Sequence, residues 1–336
     1  MCSYRQPGTV LTDHTFTVPL DHDDPSGEQI QLYAREVGAA DKIDVAARTL
    51  PWLLYLQGGP GHRAPRPIGA ESWLGRALKD YRVLLLDQRG VGRSTPANRQ
   101  TLPHRGDAAA QADYLALFRA DSIVRDAEFI RRNLLGEQPW SVLGQSFGGF
   151  CAVTYLSLCP DGLREVFLTG GLPGLEATAD DVYRATYPRV LGKNAAHYRR
   201  YPQDIELARE VAQRLLDGPV PLPGGGLLTV EAFQSLGQLL GSSTGSHRLH
   251  YLLEDAFVGV SGSGVSGSAR TFSDSFLAQV QQQLSFAAAP LYALLHEACY
   301  AQGATATAWS AQRIRPEFSQ FDAVTALNGG EPVCFT

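Results

Sequence analysis

The sequence predicts an α/β fold: a mostly parallel sheet flanked by helices, with a helical cap added to it. Three observations predict this. Short, almost continuously apolar runs alternate with stretches of helical periodicity. A Gly-x-Ser-x-Gly segment lies between one such run and a helix. After Gly170-Gly171-Leu172-Pro173-Gly174 the alternation stops and helical patterns take over. The boundaries expected are a core over 1–175 and a cap over 176–336.

The elements follow in order. His14 to Pro19 reads as a strand, Asp21 to Gly27 as a turn rich in Asp, Pro and Gly, and Gln29 to Val37 as an alternating return strand, which together predict a hairpin. Leu50 to Leu56 and Val83 to Asp87 are almost continuously apolar, as parallel strands covered on both faces are. Within 108–135, Ile123, Ala127, Ile130 and Leu134 recur at helical spacing. Trp140 to Leu143 is a further strand. A helix is expected from Phe150 to Leu158, stopped by Cys159-Pro160-Asp161-Gly162, and a strand over Val166 to Thr169. In the cap, Ile205 to Leu216 and Phe276 to Leu284 read as helices, and Gly259 to Gly267 as a mobile Gly/Ser-rich loop.

Composition narrows the function. The chain has 336 residues and a formal charge of −5, with Lys and Arg dispersed, so no basic patch for nucleic acid is visible. No apolar run reaches the ~18 to 20 residues that span a bilayer, and the first residues lack the apolar stretch of a secretory signal. Five cysteines (Cys2, Cys151, Cys159, Cys299, Cys334) form no CxxC pair, which argues against a disulfide framework or a zinc site. The expectation is a cytoplasmic protein without metal or cofactor, of unspecified oligomeric state.

Three motifs carry chemistry. In Gly144-Gln145-Ser146-Phe147-Gly148, a serine on a sharp strand-to-helix turn stands exposed for attack on a carbonyl, and the flanking glycines leave room for the turn. The helix that follows aims its free N–H groups at the place where oxyanion charge develops. Gln57-Gly58-Gly59-Pro60-Gly61 follows a strand and brings bare backbone close to a substrate, as a second oxyanion donor requires. Asp87-Gln88-Arg89-Gly90-Val91-Gly92-Arg93-Ser94 reads as a structural brace, since no Gly-Lys-Ser/Thr of a phosphate loop accompanies it.

Together with Pro19-Leu20-Asp21-His22 and the segment Pro290 to Glu297, these motifs resemble the prolyl aminopeptidase (proline iminopeptidase) family of α/β-hydrolases. Many members have His where this chain has Gln57, but the oxyanion donor is backbone in either case. The resemblance implies an α/β-hydrolase fold and release of N-terminal proline from peptides through an acyl-enzyme on Ser146. Backbone N–H groups of Gly59 and Phe147 would hold the oxyanion. Glu297, and less securely Glu254, would bind the substrate's free amino terminus, where a charged amine needs a fixed counter-ion. An esterase or thioesterase of the same fold, or a non-catalytic peptide-binding remnant, stays open as an alternative.

A serine nucleophile also needs a histidine base and an acid to orient it, in this fold on late strands after the cap. His296 lies in an apolar helical segment, His247 and His250 in a Gly/Ser-rich part of the cap, His62 beside the glycine loop and Asp322 in a loop. None stands where the fold places acid or base. The expectation is that both are absent, that the C-terminal strands of the sheet are missing, and that the chain is a fragment or truncated product.

Overall fold

The computed structural model describes residues 2–42, 49–70, 72–260, 269–303 and 305–336. It divides into two compact units, residues 1–175 with 286–300, and residues 176–285 with 301–336. The expectation of one cap over 176–336 is corrected here: residues 286–300 return to the first unit. The reason is packing, because Leu291 belongs to the same apolar core as the sheet.

The first unit contains strands β1 (Cys2–Gln6), β2 (Thr9–Pro19), β3 (Gln29–Ala39), β4 (Trp52–Leu56), β5 (Arg82–Asp87), β6 (Trp140–Gln145) and β7 (Leu163–Thr169). They form one sheet in the order β1-β2-β3-β5-β4-β6-β7. β2 and β3 are the expected hairpin, in register from Thr9↔Ala39 to Pro19↔Gln29. β3 meets β5 antiparallel, and β5, β4, β6 and β7 run parallel. Helices α1 (Ser72–Ala77), α2 (Ala108–Ala116), α3 (Ala120–Leu135) and α4 (Phe147–Leu158) flank the sheet.

The continuous apolar runs are explained by the two faces. Trp52, Leu54 and Leu56 of β4 share a core with Ile123, Ala127 and Ile130 of α3 and Ala152 and Tyr155 of α4. Leu53 and Tyr55 point to the other core, with Leu74 and Ala77 of α1. A strand sandwiched in this way has no polar face to show. β7 differs. Among the described residues no strand pairs with its outer edge, and Phe167 is 42% exposed, as are Leu156 and Leu158 of α4 to a similar degree.

In the second unit α5 (Ala179–Arg200), α6 (Asp204–Asp217), α7 (Val230–Gln234), α8 (Gly245–Glu254), α9 (Asp274–Leu284) and α12 (Ala323–Gly329) surround a separate core, and Ile314 of α11 (Ser310–Ile314) joins Tyr187 and Phe321 in a small cluster; α10 (Pro290–Leu295) belongs to the first unit. Two small hairpins also occur, β8 (Val220–Pro221) with β9 (Leu227–Leu228), and β10 (Phe257–Val260) with β11 (Ala269–Phe272). The expected loop at Gly259 to Gly267 therefore loses Gly259 and Val260 to β10, and its remaining residues, 261–267, lie outside the described residues. No helix among the described residues is long and apolar enough to cross a membrane.

Candidate active site

Ser146 joins β6 to α4 with φ 55° and ψ −122°. A side chain in that conformation costs about 1–3 kcal/mol and persists only where its surroundings enforce it. Here they do. The Ser146 N–H donates to the Thr169 carbonyl at 2.9 Å, and the Ser146 carbonyl accepts from Gly149 N–H at 2.8 Å. Backbone also crowds backbone from three directions. A methyl group on Gly148 would stand 1.9 Å from the Leu56 carbonyl oxygen, and one on Gly171 1.9 Å from that of Ser146. One on Gly58 would stand 2.7 Å from the Ser146 Cβ. The ends of β4, β6 and β7 are thus jammed together around the serine. Because α4 starts at Phe147, its first N–H groups, which lack intrahelical acceptors, lie directly beside the hydroxyl-bearing residue.

The glycine loop is held at both ends by the segment after β5. Gln88 Nε2 donates to the Gln57 carbonyl at 3.1 Å. Asp87 accepts from Ala64 N–H at 3.0 Å, from Arg93 N–H at 2.8 Å and from the Arg66 guanidinium. Arg89 turns the other way, onto Asp126 of α3 with Nε and Nη2 at 2.8 and 2.7 Å, and onto the Leu20 and Leu117 carbonyls.

Glu297 opens a short 3-10 turn after α10 and is 8% exposed. Its segment lies on the glycine loop, since a methyl group on Gly61 would meet Leu291 Cβ at 2.5 Å and Tyr292 N at 2.8 Å. A series of rings continues from there. His62 stacks on Tyr292 at 5.3 Å, Tyr292 neighbours His296 at 4.8 Å, His296 Tyr300 at 5.7 Å, Tyr300 Phe150 at 6.3 Å, and Phe150 Phe147 at 6.3 Å. The series links the glycine loop to the first turn of α4. Burial holds both His62 and His296 below their ordinary pKa; for His296 this outweighs the opposite pull of the Gly59 backbone and the Glu297 carboxylate.

Ser146, Phe147, Gly59 and Glu297 thus all fall in the first unit. Glu254 falls in the second, on α8, where its half-exposed carboxylate lies 3.3 Å from His250 Nε2. His250 in turn meets the buried Asp204 at 2.9 Å, and His247 meets the Tyr201 hydroxyl. Asp322 caps α12 by accepting from Thr325 N–H at 2.7 Å. His14 (with Glu36), His22 (with Asp126) and His197 (with Ser246) also have partners away from the serine, whereas His296 meets the Tyr300 hydroxyl at 3.4 Å in the ring series. Sequence reasoning missed the grip of Thr169 and Gly171 on Ser146, the reach of Gln88 and the ring series. Gly170-Gly171 stood in the sequence as a domain boundary marker, and its second glycine was the available signal. Among the described residues no group of three or more His, Cys, Asp or Glu is placed to hold a metal ion.

Comparison with known proteins gives the family. Residues 51–216 match the family model described as alpha/beta hydrolase fold. The chain is 51% identical over 316 residues to a proline iminopeptidase of Aeromonas sobria, covering 94% of this chain and 71% of that protein. It is 36% identical over 335 residues to a proline iminopeptidase of Aspergillus aculeatus, covering 94% and 70%. Among solved structures, a proline iminopeptidase-related protein from Thermus thermophilus is 25% identical over 47% of this chain and 44% of that chain, with a TM-score of 0.30.

Proposed function

Because the chain belongs to the proline iminopeptidase family of α/β-hydrolases, we propose that it is built to release N-terminal proline from peptides through Ser146. The observation that carries the reading is the strained Ser146 backbone, wedged between the glycine loop and the start of α4. In the proposed mechanism the Ser146 hydroxyl attacks the prolyl carbonyl as its proton passes to a base. The N–H groups of Gly59 and Phe147 take the oxyanion, and collapse expels the rest of the peptide as an amine that receives the proton. Water then releases proline from the acyl-enzyme. Glu297 is the counter-ion for the protonated secondary amine of the substrate. Its burial beside aromatic rings supports this, because a carboxylate there acts through a medium that screens little. Glu254 keeps a weaker claim to the same task, since His250 already engages its carboxylate.

The finer part of the proposal is that the acid and base come from outside these 336 residues. Two observations support it: His14, His22, His197 and His250 are hydrogen-bonded to partners away from the serine, and the β7 edge carries exposed apolar side chains that further strands would cover. The test compares a prolyl arylamide with a p-nitrophenyl ester. The chain alone should turn over almost no arylamide, because losing the base costs on the order of a millionfold in kcat. Adding the C-terminal part of the Aeromonas sobria relative should restore turnover. In that active form, Glu297→Gln should lower kcat/KM for the arylamide by roughly tenfold to a thousandfold and spare the ester. Equal losses on both substrates would make Glu297 structural. Full turnover by the chain alone, abolished by changing His62 or His296, would place the base inside it.

A further inference from the structure

We infer that Gln88 is a positioning residue that sets the glycine loop of the oxyanion site; the inference rests on the reading of Ser146 above. Gln88 is 2% exposed at the end of β5, and its side chain reaches across to the start of the loop. The atom facing Gln57 must be the amide nitrogen, because a carbonyl oxygen can only accept. Its partner matters more than its strength. Gln57 O belongs to the peptide immediately before Gly58, and Gly58 is the residue pressed against Ser146 Cβ. The same carbonyl lies 3.2 Å from where a Gly148 side chain would begin, so it is fixed between Gln88 and the first turn of α4. One peptide further on is the N–H of Gly59, at φ 134°.

The far end of the loop is tied to the neighbouring residue. Asp87 takes the Ala64 N–H and the Arg66 guanidinium. A segment of seven peptide links is therefore clamped at both ends by two consecutive side chains on one rigid strand end. Gly58, Gly59 and Gly61 bring no side chains of their own to pack, so the orientation of their peptides depends on what holds the backbone. Oxyanion stabilisation depends on donors that are fixed before the charge appears, so slackness in this peptide weakens the site without disturbing the core. The Gln57 side chain offers an internal contrast. Its Oε1 accepts from the Tyr55 hydroxyl at 2.9 Å, an interaction that does not touch the loop backbone.

The experiment uses the active form described above, the chain extended with the C-terminal part of the Aeromonas sobria relative, and Gln88→Met, which keeps the bulk and removes the donor. Three readouts are taken: amide exchange over 57–61, the rate at which excess fluorophosphonate labels Ser146, and the urea midpoint. The probe's phosphoryl oxygen occupies the oxyanion site, so its rate reports the loop. Exchange should quicken threefold to tenfold, as loss of one hydrogen bond implies, and labelling should slow tenfold or more with the midpoint unchanged. Tyr55→Phe should leave all three within twofold. Unchanged exchange or labelling in Gln88→Met overturns the inference, as does a loss matched by a lower midpoint or shared by Tyr55→Phe. A parent chain that never labels fails differently: it removes the Ser146 reading and, with it, the catalytic half of this one.

Discussion

Replacing Arg89 with Met should be among the most damaging single changes in the first unit, although Arg89 touches no reacting atom. The guanidinium and the Asp126 carboxylate are 0% and 1% exposed. Two of the guanidinium's hydrogen bonds reach that carboxylate, at 2.8 and 2.7 Å, and others reach the carbonyls of Leu20 at 2.8 Å, Leu117 at 2.6 Å and Pro19 at 3.3 Å. Methionine can fill the volume beside Phe118 but supplies none of these donors. Asp126 would keep only His22, at 2.9 Å, and three carbonyls would lose a partner. Removing one member of a buried ion pair costs about 3–5 kcal/mol, chiefly through the charge left behind. Adding Asp126→Leu removes that charge, so the double variant should recover at least about 2 kcal/mol relative to the sum of the two single changes. Urea unfolding followed by tryptophan fluorescence measures this in the right place, since Trp52, Trp73 and Trp140 lie in the first unit and Trp309 alone in the second. A loss below about 1 kcal/mol for Arg89→Met, or strict additivity in the double variant, would refute the reasoning.

Gly171→Ala should destabilise by about 1–3 kcal/mol and slow labelling of Ser146 at least tenfold, because the new methyl would fall 1.9 Å from the Ser146 carbonyl oxygen. Gly170→Ala, which meets nothing within 4 Å, should cost about 1 kcal/mol for its φ of 63° and leave labelling alone; equal effects would dismiss the clamp. Asp13 concerns pH. Burial pushes its carboxyl up, but hydrogen bonds from Arg35, Tyr33 and Arg93 outweigh this and bring it down to about 2. A depressed folded pKa gives stability that is complete above the unfolded value near 3.8 and is lost as pH falls toward 2. Asp13→Asn should therefore cost about 1–2 kcal/mol at pH 7 after allowance for solvent screening, and a gap that stays constant from pH 6 to pH 2.5 would contradict this.

Much of the core was legible because burial on two faces leaves a mark in composition. β4 and β5 read as strands from their unbroken apolar runs, and the serine motif located the turn between β6 and α4. The errors have physical causes too. The helix after Ser146 starts at Phe147 and not at Phe150, since Gly148, which looks like a breaker, is the residue that lets backbone pass so close to Leu56. β1, with the polar sequence Cys-Ser-Tyr-Arg-Gln, is held by pairing with β2 and carries no apolar signature. The return of 286–300 to the first unit was invisible because helical periodicity tells which face is apolar, not which core it will join. Glu297 was singled out through resemblance; its burial came only with the fold.

The segment after β5 shows why a motif without chemistry belongs to this site. Three successive residues fan out to three anchors: Asp87 to the end of the glycine loop, Gln88 to its start, and Arg89 to α3 and the end of the first hairpin. The Pro19 to His22 segment enters the same arrangement, for the Pro19 and Leu20 carbonyls accept from Arg89 while His22 shares Asp126. Each anchor is a main-chain or buried carboxylate group, so each fixes backbone and not merely a side chain. A nucleophile held at φ 55° requires that rigidity, because every neighbouring peptide that could relax would release the strain and turn the hydroxyl away. Hence changes at Gln88, Arg89 and Gly171 are expected to act on Ser146 through the backbone alone, at a distance from any substrate.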